Sequence, residues 1–375
     1  MPPTHSARRS ILLTLTILAV SVSACAPNGA GDAGLVARID SMAQAEVDSD
    51  TTASVAIGVM RGADVVLARG YGHADLELDV LATAETVYRI GSITKQFTST
   101  AIIQLVERGQ ISLDDEITKF LPDYPTQGHR ITIHHLLTHT SGIKSYTGIS
   151  PANMGRAFRR DLTHDELLDM FKNIPFDFAP GEQYRYNNSG YYLLGVIIEQ
   201  VTGQSYADYL DEHIFGPLNM HVSYYCDEKK IIPNRAEGYA RLDGKLVNDD
   251  PISMNIPGAA GALCSTVTDL LKWQRAMNER RLVNEASYTR MTTPAVLNND
   301  STVTYGYGLR MGEVDGHRQF AHGGGINGFV TMLSYYPDDD LTVVVLSNTP
   351  GRHPSDMAQQ IGNWALETHQ RKTMR

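Results

Sequence analysis

A chain of 375 residues with 42% hydrophobic and 20% charged residues has the composition of an ordinary globular protein, long enough for one large domain or two lobes, which excludes a disordered polymer. Its formal net charge of −10 and pI near 5.7, with no run of Lys or Arg, exclude the basic face that a nucleic-acid partner needs.

The N-terminus reads as an address. Arg8 and Arg9 precede an uncharged apolar stretch, residues 11–20, which is too short to span a bilayer comfortably and fits a secretory signal over residues 1–24. Val22-Ser23-Ala24-Cys25 resembles a bacterial lipobox, after which Cys25 would become the lipid-bearing first residue. A plain signal peptide cleaved near Ala24 or Ala26 is the alternative, and the arginine pair also fits a twin-arginine route. The expectation is an exported protein of the bacterial cell envelope, facing the periplasm and held to the membrane by its N-terminal lipid. Residues 25–33, small and turn-prone, read as a flexible tether, and residues 34–375 as one folded domain.

Within that domain a helix is expected over 35–47, then two strands at 53–60 and 64–68 around an Arg61-Gly62 turn. From 92 to about 273 the pattern is mostly helical, broken by Pro/Gly loops, with helices at 165–172 and 191–202. Residues 330–336 and 341–347 are rich in β-formers, and Pro337-Asp338-Asp339-Asp340 joins them as a hairpin. A last helix, 355–368, carries Met357, Ile361, Trp364 and Ala365 on one face, a stripe that needs a sheet to cover. First and last strands closing one antiparallel sheet, terminal helices on it and a helical lobe inserted between make an α+β fold.

The chemistry starts at Ser92-Ile93-Thr94-Lys95. Phe97, Ala101, Leu105 and Val106 recur at helical spacing after it and Gly109 supplies a stop, so Ser92 and Lys95 lie one turn apart on one helix face. A serine hydroxyl is a poor nucleophile until a base takes its proton, and a lysine serves as that base only if its pKa falls well below about 10.4. The ordinary readings are an N-cap serine and a solvated lysine. The same spacing recurs at Ser141 and Lys144, but Gly142 interrupts the helix that would align them.

Two further elements accompany the first. Tyr186-Asn187-Asn188 lies 94 residues after Ser92 (186 − 92), and His322-Gly323-Gly324 follows 136 residues later (322 − 186). Alone, these read as a packing aromatic beside a turn and as a glycine loop. As a set of three, in this order and spacing, they resemble the penicillin-binding protein and serine β-lactamase superfamily, specifically its class C β-lactamase, D,D-peptidase and esterase-like branches. Flanking runs add to the resemblance: 135–142 (HLLTHTSG), 190–195 (GYYLLG) and 261–266 (GALCST).

The resemblance implies the same α+β fold and a role for each residue. Ser92 would be the nucleophile and Lys95 its base, while the Tyr186 phenol passes a proton to the leaving group and helps activate water. Asn188 would present its amide to the substrate carbonyl or to Lys95. His322, Gly324 and Gly325 would be the substrate-binding and oxyanion element just ahead of a strand, with the N–H groups of Ser92 and Gly325 as the oxyanion donors. No cofactor is implied. His134, His135 and His139 lack the surroundings of a metal site and are read as support for the fold. Histidine stands where the family more often has Lys-Thr-Gly, which shifts weight away from a dedicated β-lactamase. An α/β-hydrolase is disfavoured because the chain has no Gly-x-Ser-x-Gly elbow.

The sequence thus points to a serine hydrolase acting through an acyl-enzyme on amide or ester bonds of small-molecule or peptide substrates, D-amino-acid peptides foremost. Class C-like β-lactam hydrolysis is the rival within that chemistry. A non-catalytic envelope protein that binds peptidoglycan is the rival outside it. Whether Cys226 and Cys264 pair is open at this stage.

Overall fold

The structure, a computed structural model, describes residues 30–49, 51–149, 157–350 and 354–373. The signal peptide, the lipobox with Cys25 and most of the tether lie outside the described residues. Residues 30–33, read as the end of the tether, instead open the first helix, Ala30–Val47. No helix among the described residues is long and apolar enough to cross a membrane.

Seven antiparallel strands form the central sheet, in the order Arg310–Val314, His317–Ile326, Phe329–Tyr336, Leu341–Ser347, Ser54–Arg61, Asp64–Asp75 and Val80–Leu81. The first long strand of the chain therefore pairs with the last, Val55 opposite Ser347 and Arg61 opposite Leu341. Both are buried along nearly their whole length, because helices cover both faces of the sheet. Val55, Ile57 and Val59 point to one side, where Leu35 and Ile39 of the first helix and Met357, Ile361 and Ala365 of the last helix (Pro354–Thr373) cover them. Ala56 and Met60 point to the other side, into the larger core shared with the inserted lobe. A β carbon on Gly58 would sit 3.3 Å from Leu271 and Val267, so that glycine lets the helix Val267–Asn278 lie close on the sheet.

Packing of the inserted lobe runs through the helix that follows Ser92, Thr94–Glu107. Phe97 stacks on Trp273 with ring centroids 3.9 Å apart, and the Trp273 indole N–H donates to Gln96 at 3.0 Å. Full burial of a side chain of this size is worth roughly 1.5–3 kcal/mol, so this contact fixes where the helix lies. The lobe is not all helix. Tyr88–Arg89, Leu263–Ser265 and Tyr224–Tyr225 form a small three-stranded sheet, and Tyr239–Leu242 pairs with Lys245–Asn248 as a hairpin. Cys226 and Cys264 meet at that small sheet and are both buried and free, not disulfide-bonded.

Three strand readings change. The strand expected at 64–68 continues to Asp75. The glycine run at 322–324, expected as a loop ahead of a strand, is itself inside one, His317–Ile326. Before it the short strand Arg310–Val314 adds the sheet edge, which carries no strong β pattern.

Candidate active site

Ser92 stands in a single 3-10 turn, Gly91–Ile93, that runs straight into the helix Thr94–Glu107. Gly91 has φ +50°, and a β carbon there would lie 2.8 Å from the backbone nitrogen of Gly325, so the position requires glycine on both counts. The helix N-cap is Ile93, with no side-chain capping bond, so the Ser92 hydroxyl is not consumed as a cap.

Lys95, one turn on, is fully buried. Its Nζ lies 3.1 Å from Ser92 Oγ, 2.8 Å from Asn188 Oδ1 and 2.8 Å from the carbonyl oxygen of Ala260. All three partners are neutral. Burial therefore pulls the Lys95 amine well below its ordinary pKa, and the Arg310 guanidinium pushes it further the same way. An unprotonated amine has two N–H bonds and one lone pair. The two carbonyl oxygens match the N–H bonds, which leaves the lone pair for the Ser92 O–H, the geometry a general base requires.

Tyr186 is brought in by the loop ahead of the helix Asn188–Thr202. Asn187 fixes that loop: its Oδ1 accepts from Gly190 N at 2.8 Å, its Nδ2 donates to Ile143 O, and its N–H donates to His139 Nδ1 at 3.1 Å. The Tyr186 ring centroid lies 4.8 Å from Lys95 Nζ and 5.4 Å from the Arg310 guanidinium carbon. Its buried hydroxyl makes no hydrogen bond of good geometry, yet Ser92 stands near enough to favour the phenolate, as does Arg310. Burial outweighs both and raises the pKa, so this phenol keeps its proton at neutral pH. It can relay a proton but does not serve as a standing phenolate.

Asn188 uses both ends of its amide. Oδ1 accepts from Lys95, Nδ2 donates to Thr147 Oγ1 at 3.0 Å, and the backbone N–H donates to Ser145 Oγ at 3.2 Å. Of the two partners foreseen for it, the structure supplies the lysine.

His322 differs from its expected position. It is 2% exposed and does not line the cleft around Ser92. Nδ1 lies 2.7 Å from Gly323 O and Nε2 2.9 Å from the Tyr305 hydroxyl, so a neutral ring donating from Nδ1 and accepting at Nε2 satisfies both bonds. Burial, with Lys95 and Arg310 adding to it, lowers its pKa to about 3. His322 thus supplies no cation to Tyr186 and faces no substrate; it holds Tyr305 behind the site.

The glycines after it do reach the site. Pairing with Arg310–Val314 ends at Ala321, which leaves 322–326 with an edge turned toward the Ser92 turn. A β carbon on Gly324 would fall 2.0 Å from Ile90 O and 2.3 Å from Thr331 Oγ1, and Thr331 itself donates to Ile90 O at 2.9 Å. Strand and turn are therefore locked together, with the Gly325 nitrogen at the Ser92 turn. A cleft of about 220 Å³ opens there, its lining including Ser92, Thr147, Asn188, Gly325 and Asn327 as polar groups and Phe158, Ile252 and Ile326 as apolar ones. None of its described lining residues is charged.

Sequence reasoning missed Ser145, Thr147, Ala260, Tyr305 and Arg310. The first three act by hydrogen bonds to Asn188 or Lys95, and no local pattern marks them. Ser141 and Lys144, the rejected second pair, are indeed employed elsewhere: Lys144 Nζ pairs with Asp177 at 2.8 Å.

Comparison with known proteins identifies the family. The Beta-lactamase family model matches residues 39–364. The chain is 30% identical to "Penicillin-binding protein 4*" of Bacillus subtilis over 303 residues, 76% of this chain and 66% of that protein. It is 28% identical to a "D-aminopeptidase" of Brucella canis over 315 residues, 83% of this chain and 59% of that protein. It thus spans a little under two thirds of the length of the curated relatives it matches. Among solved structures, an octameric penicillin-binding protein homologue from Pyrococcus abyssi shares 33% identity with a TM-score of 0.78, covering 88% of this chain and 77% of the other. The matched model spans nearly all of the described body, sheet and inserted lobe alike, and the chain belongs to the Beta-lactamase family, within the penicillin-binding protein and serine β-lactamase superfamily.

Proposed function

We propose that this chain is a serine hydrolase that cleaves amide or ester bonds of small substrates through an acyl-enzyme. The observation that carries the proposal is the buried Lys95 amine, held by two neutral carbonyl oxygens and facing Ser92 Oγ at 3.1 Å. Ser92 attacks the substrate carbonyl as Lys95 takes its proton. The N–H groups of Ser92 and Gly325 receive the oxyanion. Tyr186, beside both Lys95 and Ser92, passes the proton to the departing amine or alcohol, and the bond to that group breaks. Water then repeats the sequence on the acyl-enzyme and frees Ser92.

The cleft narrows the substrate class. With Asn327, Asn188 and Thr147 among its hydrogen-bonding side chains and Phe158, Ile252 and Ile326 as its walls, it suits an acyl group with an apolar side chain. Similarity to a D-aminopeptidase supports amides of D-amino acids as the first substrates to try. β-Lactam turnover is the weaker reading, because no cation among the described lining residues is placed to hold the ring carboxylate.

Export and lipid attachment at Cys25 complete the proposal, on the strength of the Arg8-Arg9 start, the apolar segment and the lipobox-like Val22-Ser23-Ala24-Cys25. Cell fractionation tests this part: Cys25→Ala should move the protein from the membrane to the soluble fraction. A panel of D-amino-acid amides, short acyl esters and nitrocefin tests the activity. Turnover of the first two classes at least about tenfold above nitrocefin is expected, and inertness toward all three would favour a non-catalytic, peptidoglycan-binding role.

A further inference from the structure

The turn Gly258–Ala260 is a wall with a cavity on each side. Ala260 lines the Ser92 cleft, while Gly258 and Ala259 line a second cavity of about 440 Å³, twice the size of the first. That second space borrows nothing from the catalytic residues. Gly195 and Gly258 let its walls close up: a β carbon on Gly195 would lie 2.5 Å from Ala259 Cβ, and one on Gly258 2.7 Å from the Tyr192 ring.

Its lining has a definite chemistry. Three tyrosines, Tyr192, Tyr206 and Tyr225, together with Val196 supply aromatic and apolar surface. At the polar end Glu199 Oε2 lies 2.8 Å from His164 Nε2, His164 Nδ1 lies 2.8 Å from the Tyr192 hydroxyl, and Tyr206 N–H donates to Glu199 Oε1 at 2.8 Å. Asp227 brings a second carboxylate, and no Lys or Arg is among the described lining residues. The carboxylate at the polar end is already oriented by two neighbouring groups, the His164 ring and the Tyr206 N–H, with Tyr192 holding His164 in turn, so it meets a ligand without reorganising.

We infer that this cavity is a second, non-catalytic binding site for a small ammonium ion carrying an aromatic or branched apolar group. The volume suits a compact ligand, the carboxylates complement its charge, and the tyrosine faces take both the cation and its apolar part. An anionic ligand finds no Lys or Arg among the described lining residues, and the one group there that can carry positive charge, His164, is already paired with Glu199 while Asp227 stays available.

The test uses the full chain with Ser92 blocked by a fluorophosphonate, or the Ser92→Ala variant should that reagent not react, so that failure of the hydrolase reading leaves it intact. Titration calorimetry with 2-phenylethylamine should show one saturable site, and 2-phenylethanol, of the same shape without the charge, should bind at least about tenfold more weakly, a difference of about 1.4 kcal/mol. Glu199→Gln should weaken the amine by a similar factor. Ala207→Trp, which fills the cavity from its rim, should abolish binding while leaving the thermal midpoint and ester turnover of the unblocked protein unchanged. Absence of saturable amine binding, equal affinity for the alcohol, or undiminished binding in Ala207→Trp would overturn the inference.

Discussion

Lys95 Nζ donates to the carbonyl oxygen of Ala260 at 2.8 Å, so the amine at the centre of the site is held by a backbone dipole and not by an anion. A carboxylate in that place would stabilise the ammonium and remove the base. With neutral acceptors alone, burial keeps the amine's pKa well below the ordinary lysine value.

That depression has a sign that stability measurements can read. The folded state holds Lys95 unprotonated over a pH range in which the unfolded chain protonates it. The unfolded state therefore binds more protons there, and the wild type gains stability as pH rises toward about 10.5. Lys95→Met removes this dependence. The variant's thermal midpoint minus that of the wild type should fall as pH rises toward about 10, and its turnover should drop by at least about 10³-fold. A difference that is flat with pH would mean the lysine is not depressed.

Gly324 is the position where strand and nucleophile turn touch. A methyl group at 2.0 Å from Ile90 O must push the turn away, so Gly324→Ala should cost roughly 1–3 kcal/mol in urea unfolding and about 10²-fold in kcat/KM. Gly312→Ala, on the edge strand with no atom within 4 Å, is the control and should stay within about 0.5 kcal/mol of wild type.

The outer frame of the fold was legible from sequence because its signals are local and periodic. The 55–59 and 343–345 valine-rich runs read as strands, and the 357, 361, 365 stripe read as a helix seeking cover; both meet in one buried cluster. The Ser92–Lys95 spacing likewise required only helix geometry. What stayed hidden depends on long-range contact. Ala-His-Gly-Gly-Gly has poor strand propensity and becomes a strand only because Phe329–Tyr336 pairs with it on one side and the Ser92 turn abuts it on the other. The role of His322 went the same way: its sequence position suggests a substrate contact, while its ring is turned inward to Tyr305.

His322 should accordingly be silent in catalysis near neutral pH and visible in stability. Its pKa, about 3 in the fold against 6.5 for the free side chain, means that the unfolded chain takes up a proton that the folded one refuses. Stability contributed by the neutral ring is fully present above pH 6.5 and is lost as pH falls toward 3, on the order of a few kcal/mol over the full range. Urea unfolding of His322→Gln at pH 7 and pH 4.5 should show a smaller loss between the two than wild type. An equal loss would mean the ring is protonated in the fold.

Arg310 sits 5.4 Å from the Tyr186 ring and helps to depress Lys95 from an exposed edge strand. Arg310→Gln should move the acidic limb of the kcat/KM profile to higher pH, because the base would then hold its proton more tightly. An unmoved limb, or one shifted down, would remove Arg310 from the electrostatics of the site.

The acyl-enzyme itself is the most direct test. Full-length protein mixed with a chromogenic acyl ester, acid-quenched within one turnover and digested, should carry a single acyl mass on the peptide containing Ser92, and Ser92→Ala should lose both that mass and turnover while melting at nearly the same temperature. Turnover without an adduct, an adduct on another residue, or an active Ser92→Ala variant would contradict a nucleophile at position 92 driven by a buried amine.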